Sequence, residues 1–579
     1  MNAFGWCLVV GINGAIIAFG LWKSRETNRA VDWMLAARGL PWWMVGLSMF
    51  ATAVDSGDYV AVAGAAYQNG MNFITDWWLG ITIGWFLVAW AVFLPMYRSG
   101  MFTNAEYLER RFDPGARVIA VIVQVLYRTN VLGNVAYSLY LTFSLLTGWG
   151  DATWYLVVAI AAGAAAYTAM GGLKSVVLTD SIQSVVMLAA AVVMWVVVYQ
   201  AVGGFAGMEK TMVEANVSER VRGAMTHVGK HLEEGVPAWL VIVGWIITLT
   251  AYCVVNHSQS MRMLAARSEW DVKMAAVVAA AVTAGVMWFN VTLGILGRGV
   301  RPNLPAERAD DIFPILISEH LVPLGGGLAG IVVAGLLAGG ISTFDSIGSS
   351  LSVVFTRDLY ARFLVRNAND YHYLRVSRIT TFVVIGASFA YVPFLKIGMV
   401  KFYLEMISVT VLPLMTVYLA GIFTPAHRKS GLVGLAFGCS CGLARFLCEM
   451  SDHAFPVWWS NKWYGFLWSI GATALGVLLT TLVLGRARRE ELQGLVVWLP
   501  ATAGEGPVPV GEIEASGEMR SERQADEGNW LEKTRRELIE LPRHPFDDAR
   551  TRLPLRKQPW LWATIVLGIL AYLNLVVLW

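Results

Sequence analysis

Gly339–Tyr360 reads GGISTFDSIGSSLSVVFTRDLY and follows directly on the apolar run 321–337. A run that apolar belongs in a bilayer, which puts Ser342, Thr343, Asp345, Ser346, Ser349, Ser350 and Ser352 at membrane depth. Hydroxyl and carboxylate oxygens there are costly unless they face protein, water or an ion. Oxygen is also the donor that a hard cation prefers. Ser342, Asp345, Ser346 and Ser349 are spaced i, i+3, i+4, i+7 and so share one helical face. The spacing predicts a cation path along that face.

The rest of the chain agrees with a membrane setting. Its 579 residues are 56% hydrophobic and only 15% charged, whereas a soluble chain carries about 25% charged residues. The formal charge of +3 is scattered between apolar runs rather than gathered in a patch, so no nucleic-acid partner is expected. All five cysteines fall in apolar segments, and Cys439-x-Cys441 lacks a second pair at metal spacing. Buried, inert thiols and no disulfide scaffold are expected.

A span needs about 20 mostly apolar residues. Fourteen runs qualify: 2–22, 42–68, 74–96, 117–146, 152–170, 178–202, 236–257, 273–298, 322–356, 377–395, 402–424, 430–448, 463–485 and 559–579. The expected fold is therefore all-α and polytopic, with about 14 transmembrane helices. The first run is not expected to be a cleaved signal, because no basic residue precedes it while Lys23, Arg25 and Arg29 follow it. With the N-terminus outside, the short inward loops hold 19 Lys and Arg and the outward loops 10. That bias predicts both termini outside. The polar segment 486–557 is then cytoplasmic, with 13 Lys/Arg and 14 Asp/Glu. It is too small and too poor in apolar residues for a catalytic domain, and its Trp530–Leu541 stretch is expected as an amphipathic helix on the membrane.

Two spans carry polar interruptions. The second contains Ala51, Thr52, Ala53, Asp55, Ser56, Gly57 and Asp58 in mid-membrane. An unwound turn there frees backbone carbonyls to bind a cation. The seventh offers Thr250, Tyr252, Asn256, His257 and Gln259. Five spans separate the two, as expected if spans 2–6 and 7–11 form two inverted five-helix repeats, each with one broken helix. The layout is then 1–41 for the first span and inner loop, 42–202 for the first repeat and 203–235 for an outer loop. Residues 236–424 form the second repeat, 425–485 spans twelve and thirteen, 486–557 the polar loop and 558–579 the last span.

Each charge inside a span has a structural and a functional reading. Asp55 and Asp58 either cap the two half-helices or bind a ligand. Asp180 stands where an N-cap belongs, or in an ion site. Arg128 lies too deep to reach water and needs an internal acid or a solute. His257 is expected to be a hydrogen-bonded core imidazole. No His/Glu/Asp cluster has catalytic spacing, so the chain is not expected to be an enzyme.

Three motifs together resemble the sodium:solute symporter family. They are GGLKSVVLTDSIQ (Gly171–Gln183), ISTFDSIGSSLSVVFTRDLY (Ile341–Tyr360) and FTNAEYLERRF (Phe102–Phe112), the last with Ala105 where Pro is common. A last span after a long inner loop resembles the glucose-type branch. The resemblance implies a Na⁺ site from the carbonyls of Ala51, Val54 and Gly339 with the hydroxyls of Ser342 and Thr343. It implies a second Na⁺ site, found in some members, from Asp180, Ser342 and Ser346, with Asp345 standing where a hydroxyl is frequent. The solute is expected near Asp58, Tyr252, Asn256 and Glu405, with Asp76 about one turn from its family position and Arg128 as a further anchor. Cys253 and Leu404 depart from the sugar members of the family. The expected function is Na⁺-coupled symport of a small polar solute, a sugar or polyol favoured, by alternating access in the plasma (inner) membrane. The alternatives are Na⁺- or H⁺-coupled uptake of an organic acid, amino acid or nucleoside, or a solute sensor on the same fold. The solute, Na⁺ and the lipid bilayer are the expected partners, with no obligate protein partner.

Overall fold

The computed structural model describes residues 1–23, 30–395, 398–449, 455–499, 530–539 and 553–579. Among them there is no strand, only the isolated bridges Leu40–Ala266 and Val496–Leu499. Twelve helical runs are long and apolar enough to cross a membrane: α1 (Ala3–Trp22), α4 (Met71–Arg98), α6 (Pro114–Thr147), α7 (Gly150–Val202), α8 (Ala238–Val255), α10 (Glu269–Gly299), α11 (Gly326–Leu364), α12 (Asp370–Leu395), α13 (Met399–Phe423), α14 (Ser430–Glu449), α15 (Lys462–Leu484) and α17 (Pro559–Val577). Shorter helices are α2 (Trp42–Ala53), α3 (Ser56–Asn69), α5 (Asn104–Arg111), α9 (His257–Leu264) and α16 (Trp530–Ile539).

The fourteen expected spans map onto these with two differences. Spans 152–170 and 178–202 form one helical run, α7, kinked at Gly172 (φ 65°). A Cβ on Gly172 would come within 2.8 Å of the Trp33 ring, so the kink serves both backbone and packing. Span two is two short helices, α2 and α3, and neither alone is long enough to cross. The second break, at Asn256, separates α8 from α9. Both spans expected to be broken are therefore broken in the structure.

Central to the bundle is α11, in which every residue from Val332 to Val354 is buried. Glycines set how closely its neighbours approach. A Cβ on Gly339 would sit 3.3 Å from Asp55 Cα, and one on Gly335 would meet Ala190 Cβ at 2.3 Å, close packing of the kind small residues permit between membrane helices. The chain ends lie at one end of the bundle. Val228 N–H donates to the Leu578 carbonyl at 2.6 Å, and a Cβ on Gly5 would meet the Gly326 carbonyl at 2.5 Å.

The opposite end is tied by ion pairs between motif residues. Thr103 caps α5 and also donates to Asp358 Oδ1 (2.8 Å). Arg117 donates from Nε to the same oxygen (3.0 Å) and pairs with Glu109, which Arg362 reaches at 2.7 Å. Two of the family-like motifs are thus joined to each other rather than to a ligand. Burial alone would raise the Glu106 carboxyl, but Arg110, Arg357, Arg117 and Arg535 outweigh it and hold it at about 2.

The α16 helix is expected on the membrane from its amphipathic pattern, and its described contacts are with the protein. It docks on the protein: Trp530 stacks on Tyr373 (4.0 Å between centroids) and donates to Asp370 Oδ1 (2.7 Å). Arg357 donates to Thr534 (2.9 Å), and Arg535 donates to the Ser99 carbonyl (3.0 Å). The remainder of the expected stretch, 540–541, lies outside the described residues.

Asp358 is fully buried, so Arg117→Ala should lower unfolding stability by about 3–5 kcal/mol. Arg98→Ala, which loses a half-exposed pair with Glu269, should cost less than about 1 kcal/mol. Thermal unfolding of the purified protein in detergent measures both. Glu106 titrates at about 2 when folded against an ordinary 4.5. Its contribution is therefore complete above the ordinary value and lost as pH falls toward 2. The stability gap between wild type and Glu106→Gln should narrow over that window.

Candidate functional site

The site begins where α2 stops. Val54 (φ −121°, ψ 117°) and Asp55 (φ −130°, ψ −175°) are extended, and α3 restarts at Ser56. A capping box holds the restart: Asp58 N–H donates to Asp55 Oδ1 and Asp55 N–H to Asp58 Oδ2, both at 3.0 Å. In an unbroken helix the Asp55 N–H would bond the Ala51 carbonyl. Diverted to Asp58, it leaves that carbonyl for other donors. Both aspartates therefore cap the second half-helix, α3, and not the first, and both also line the adjoining pocket.

Ser342 of α11 faces the freed carbonyl. Its Oγ lies 3.0 Å from Ala51 O and 2.7 Å from Asp180 Oδ1. One hydroxyl proton serves one of these oxygens at a time. Beside it the buried Thr343 Oγ1 has no partner. Gly339 packs against the Asp55 backbone, so α11 and the break bring carbonyl and hydroxyl oxygens to one place at membrane depth. No cluster of three or more His, Cys, Asp or Glu occurs among the described residues. The donor set of carbonyls and hydroxyls fits Na⁺. The lower part of the serine face is different. Ser349, Ser350 and Ser352 donate to the carbonyls of Ser346, Ile347 and Ser349 of their own helix, which satisfies them without an ion.

Two of the oxygens expected to bind a second ion, Asp180 Oδ2 and Ser346 Oγ, already accept from a cation of the protein. Arg262, fully buried, donates from Nη2 to Asp180 Oδ2 (2.8 Å) and to Ser346 Oγ. Its Nε donates to Ser48 Oγ (2.6 Å) and its Nη1 to the Ser258 carbonyl (2.9 Å). Asp180 sits inside continuous α7 and so caps nothing. Asp345 accepts from Ser346 at Oδ1 (3.3 Å), and its Oδ2 has no partner. Hydropathy places Arg262 in an inner loop. It lies instead in α9, whose Met261, Met263 and Leu264 carry the buried span past the break.

A pocket adjoins the break and reaches Phe73, Trp245, Leu249, Met399 and Val400. Thr52, Ala53, Asp55 and Asp58 form its floor, and Phe73, Trp77, Trp245, Tyr252 and Tyr403 give it aromatic walls. Arg128 and Asp76 also line it. The Nε and Nη2 of Arg128 and the Oδ1 of Asp76 are buried without partners. The guanidinium carbon of Arg128 stands 5.5 Å from the Tyr252 ring centroid, a cation–π separation. Tyr252 Oη donates to the Thr52 carbonyl (3.4 Å) and accepts from Gln259 (3.0 Å), closing the pocket below. The sequence reading overlooked Trp77, Trp245, Tyr403 and Phe73, because an aromatic on an apolar helix looks the same whether it meets lipid, core or solute.

Two expected solute residues lie elsewhere. Glu405 pairs with fully buried Arg445, which also holds Glu449 (2.9 Å), and it does not line the pocket. Its neighbours Tyr403 and Leu404 do. Asn256 caps α9, its Oδ1 accepting from Ser258 N–H (2.9 Å), and is likewise outside the lining. Cys253 packs on α4, where a Cβ on Gly84 would meet its Sγ at 2.7 Å. His257 is buried with neither ring nitrogen partnered, not the hydrogen-bonded imidazole expected.

This arrangement agrees with what the chain resembles. The model of the sodium:solute symporter family matches residues 33–438. Human sodium/glucose cotransporter 4 is 27% identical over 494 residues, covering 78% of this chain and 70% of that protein. Bovine sodium/myo-inositol cotransporter 2 is 28% identical over 468 residues, covering 75% and 68%. A substrate-bound, outward-open structure of a Na⁺-coupled sialic acid symporter superposes with a TM-score of 0.68 at 21% identity, covering 84% of this chain and 99% of that one, and so shares its fold. With a family match across most of its length, the chain belongs to the sodium:solute symporter family and is a membrane symporter that uses Na⁺ as its coupling ion.

Proposed function

We propose that the protein carries a small polyhydroxylated solute, a sugar or polyol, into the cell with Na⁺ by alternating access. The observation that carries this reading is the shared floor of pocket and ion site: Thr52, Ala53 and Asp55 line the pocket, and the same unwound turn frees the Ala51 carbonyl beside Ser342. Na⁺ held by the carbonyls of Ala51, Val54 and Gly339 and the hydroxyls of Ser342 and Thr343 fixes the turn, and so shapes the floor on which the solute rests. Loss of the ion loosens the floor and lets the solute leave. Aromatic walls suit the C–H faces of a ring, while Arg128, Asp58 and Asp76 exchange hydrogen bonds with hydroxyls. The named relatives that carry glucose and myo-inositol support this class. A second reading has one observation in its favour: the partnerless nitrogens of Arg128 suit the carboxylate of an organic acid.

One Na⁺ gains about 2.3 kcal/mol per 100 mV, and a tenfold gradient adds about 1.4 kcal/mol. The sum supports roughly a 500-fold solute gradient. The excess of Lys and Arg on short loops at the end opposite the termini supports both termini lying outside a plasma (inner) membrane.

Ser342→Ala with Thr343→Ala should abolish the sodium dependence of uptake in vesicles. Uptake equally responsive to external Na⁺ overturns the ion site. In a thermal-shift screen with Na⁺, glucose, myo-inositol and small organic acids, the true solute at 100 times its Kd should add about 2.7 kcal/mol. Stabilisation by acids alone favours the second reading. Arg128→Ala and Asp76→Asn should each cut uptake at least tenfold while leaving the Na⁺-induced shift in place.

A further inference from the structure

A coupling ion is a cation that leaves, whereas Arg262 is a cation that cannot. Two of the oxygens that the family pattern assigns to a second ion accept from this guanidinium, Asp180 Oδ2 at 2.8 Å and Ser346 Oγ beside it, while Asp345 accepts no hydrogen bond from it. The remaining donors are pinned as well, to Ser48 Oγ and the Ser258 carbonyl. The fork thus ties four elements together: α2 through Ser48, α7 through Asp180, α9 through Ser258 and α11 through Ser346.

We propose that the Arg262 guanidinium is a built-in cation standing in the place of a second coupling ion, so that one Na⁺ accompanies each solute. The proposal rests on the reading of Ser342 and Thr343 as the Na⁺ site. Geometry supports it. For Na⁺ to take Asp180 and Ser346, Arg262 must give up both contacts, and a buried charge stripped of its partner is strongly disfavoured. The tethered cation also does not dissipate with the gradient. It keeps the Asp180 carboxylate paired when the Na⁺ site empties, so the returning carrier has no unpaired Asp180 to carry across.

Equilibrium binding of radioactive Na⁺ to the purified full-length protein reads the stoichiometry directly. Wild type should bind one Na⁺ per chain, and sodium-dependent uptake should follow a Hill coefficient near 1. Arg262→Gln, which keeps hydrogen-bonding groups but removes the charge, should bind two, with Arg262→Lys remaining at one. Two ions per wild-type chain overturn the proposal, as does a folded Arg262→Gln that still binds one. The wild-type count decides the matter even if the variant does not fold. No saturable Na⁺ binding in wild type, or uptake indifferent to Na⁺, instead fails the ion site itself, a different result.

Discussion

The N–H of Asp55 has two acceptors within its reach along the chain, and the structure depends on which it chooses. Bonded to Ala51, it would complete a helix, and a complete helix offers the membrane interior no free backbone oxygen. Bonded to Asp58, it ends one helix, starts another and leaves a carbonyl to be satisfied. Hydrocarbon cannot do so, and water is scarce at that depth. The burden falls on α11, which can come close only because it presents glycine at 339 and 340. A hydroxyl one turn further on then meets the freed oxygen. One rerouted hydrogen bond thus sets the packing of the central helix and brings the oxygens of the proposed ion site together.

The second constraint is the scarcity of charge. Several buried arginines in this chain are matched by a buried acid. Arg262 answers Asp180, Arg445 answers Glu405, and Arg117 answers Asp358. Arg128 is different: it lies near Asp55 and Asp58 but has no ion-pair partner, and two of its nitrogens are idle. A folded protein retains an unsatisfied guanidinium at a cost, and here the cost falls inside a pocket, where a solute can relieve it. Of these four arginines Arg128 alone leaves two guanidinium nitrogens unpartnered, and it is the one that lines the pocket.

Much of this was legible in the residues. Long apolar runs located the spans because the bilayer imposes one length on all of them. Gly, Ala and Ser around Asp55 announced a break because helices at that depth need a reason to stop. The serine face of α11 was visible from spacing alone, though not that Ser349, Ser350 and Ser352 bond back to their own helix. What stayed hidden was partnership across long separations. Nothing near Glu405 names Arg445, and nothing near Arg262 names Asp180. Arg262 was hidden further by the break, because a hydropathy reading ends the seventh span at the interruption whereas the chain resumes as α9. Asn256 and Glu405 resemble solute ligands by alignment, yet one is a cap and the other half of an ion pair.

The docked α16 helix adds a mechanical condition. It is fastened to the chain just after α4 through Arg535 and Ser99, and to α11 and α12 through Thr534, Trp530 and Tyr373. These anchors lie on different elements far apart in the chain, so any movement that parts them must first strip one end of the strap. The catch therefore sits in a segment that belongs to neither repeat and touches no transported species. Its contacts can be altered by substitution without changing any residue that lines the pocket.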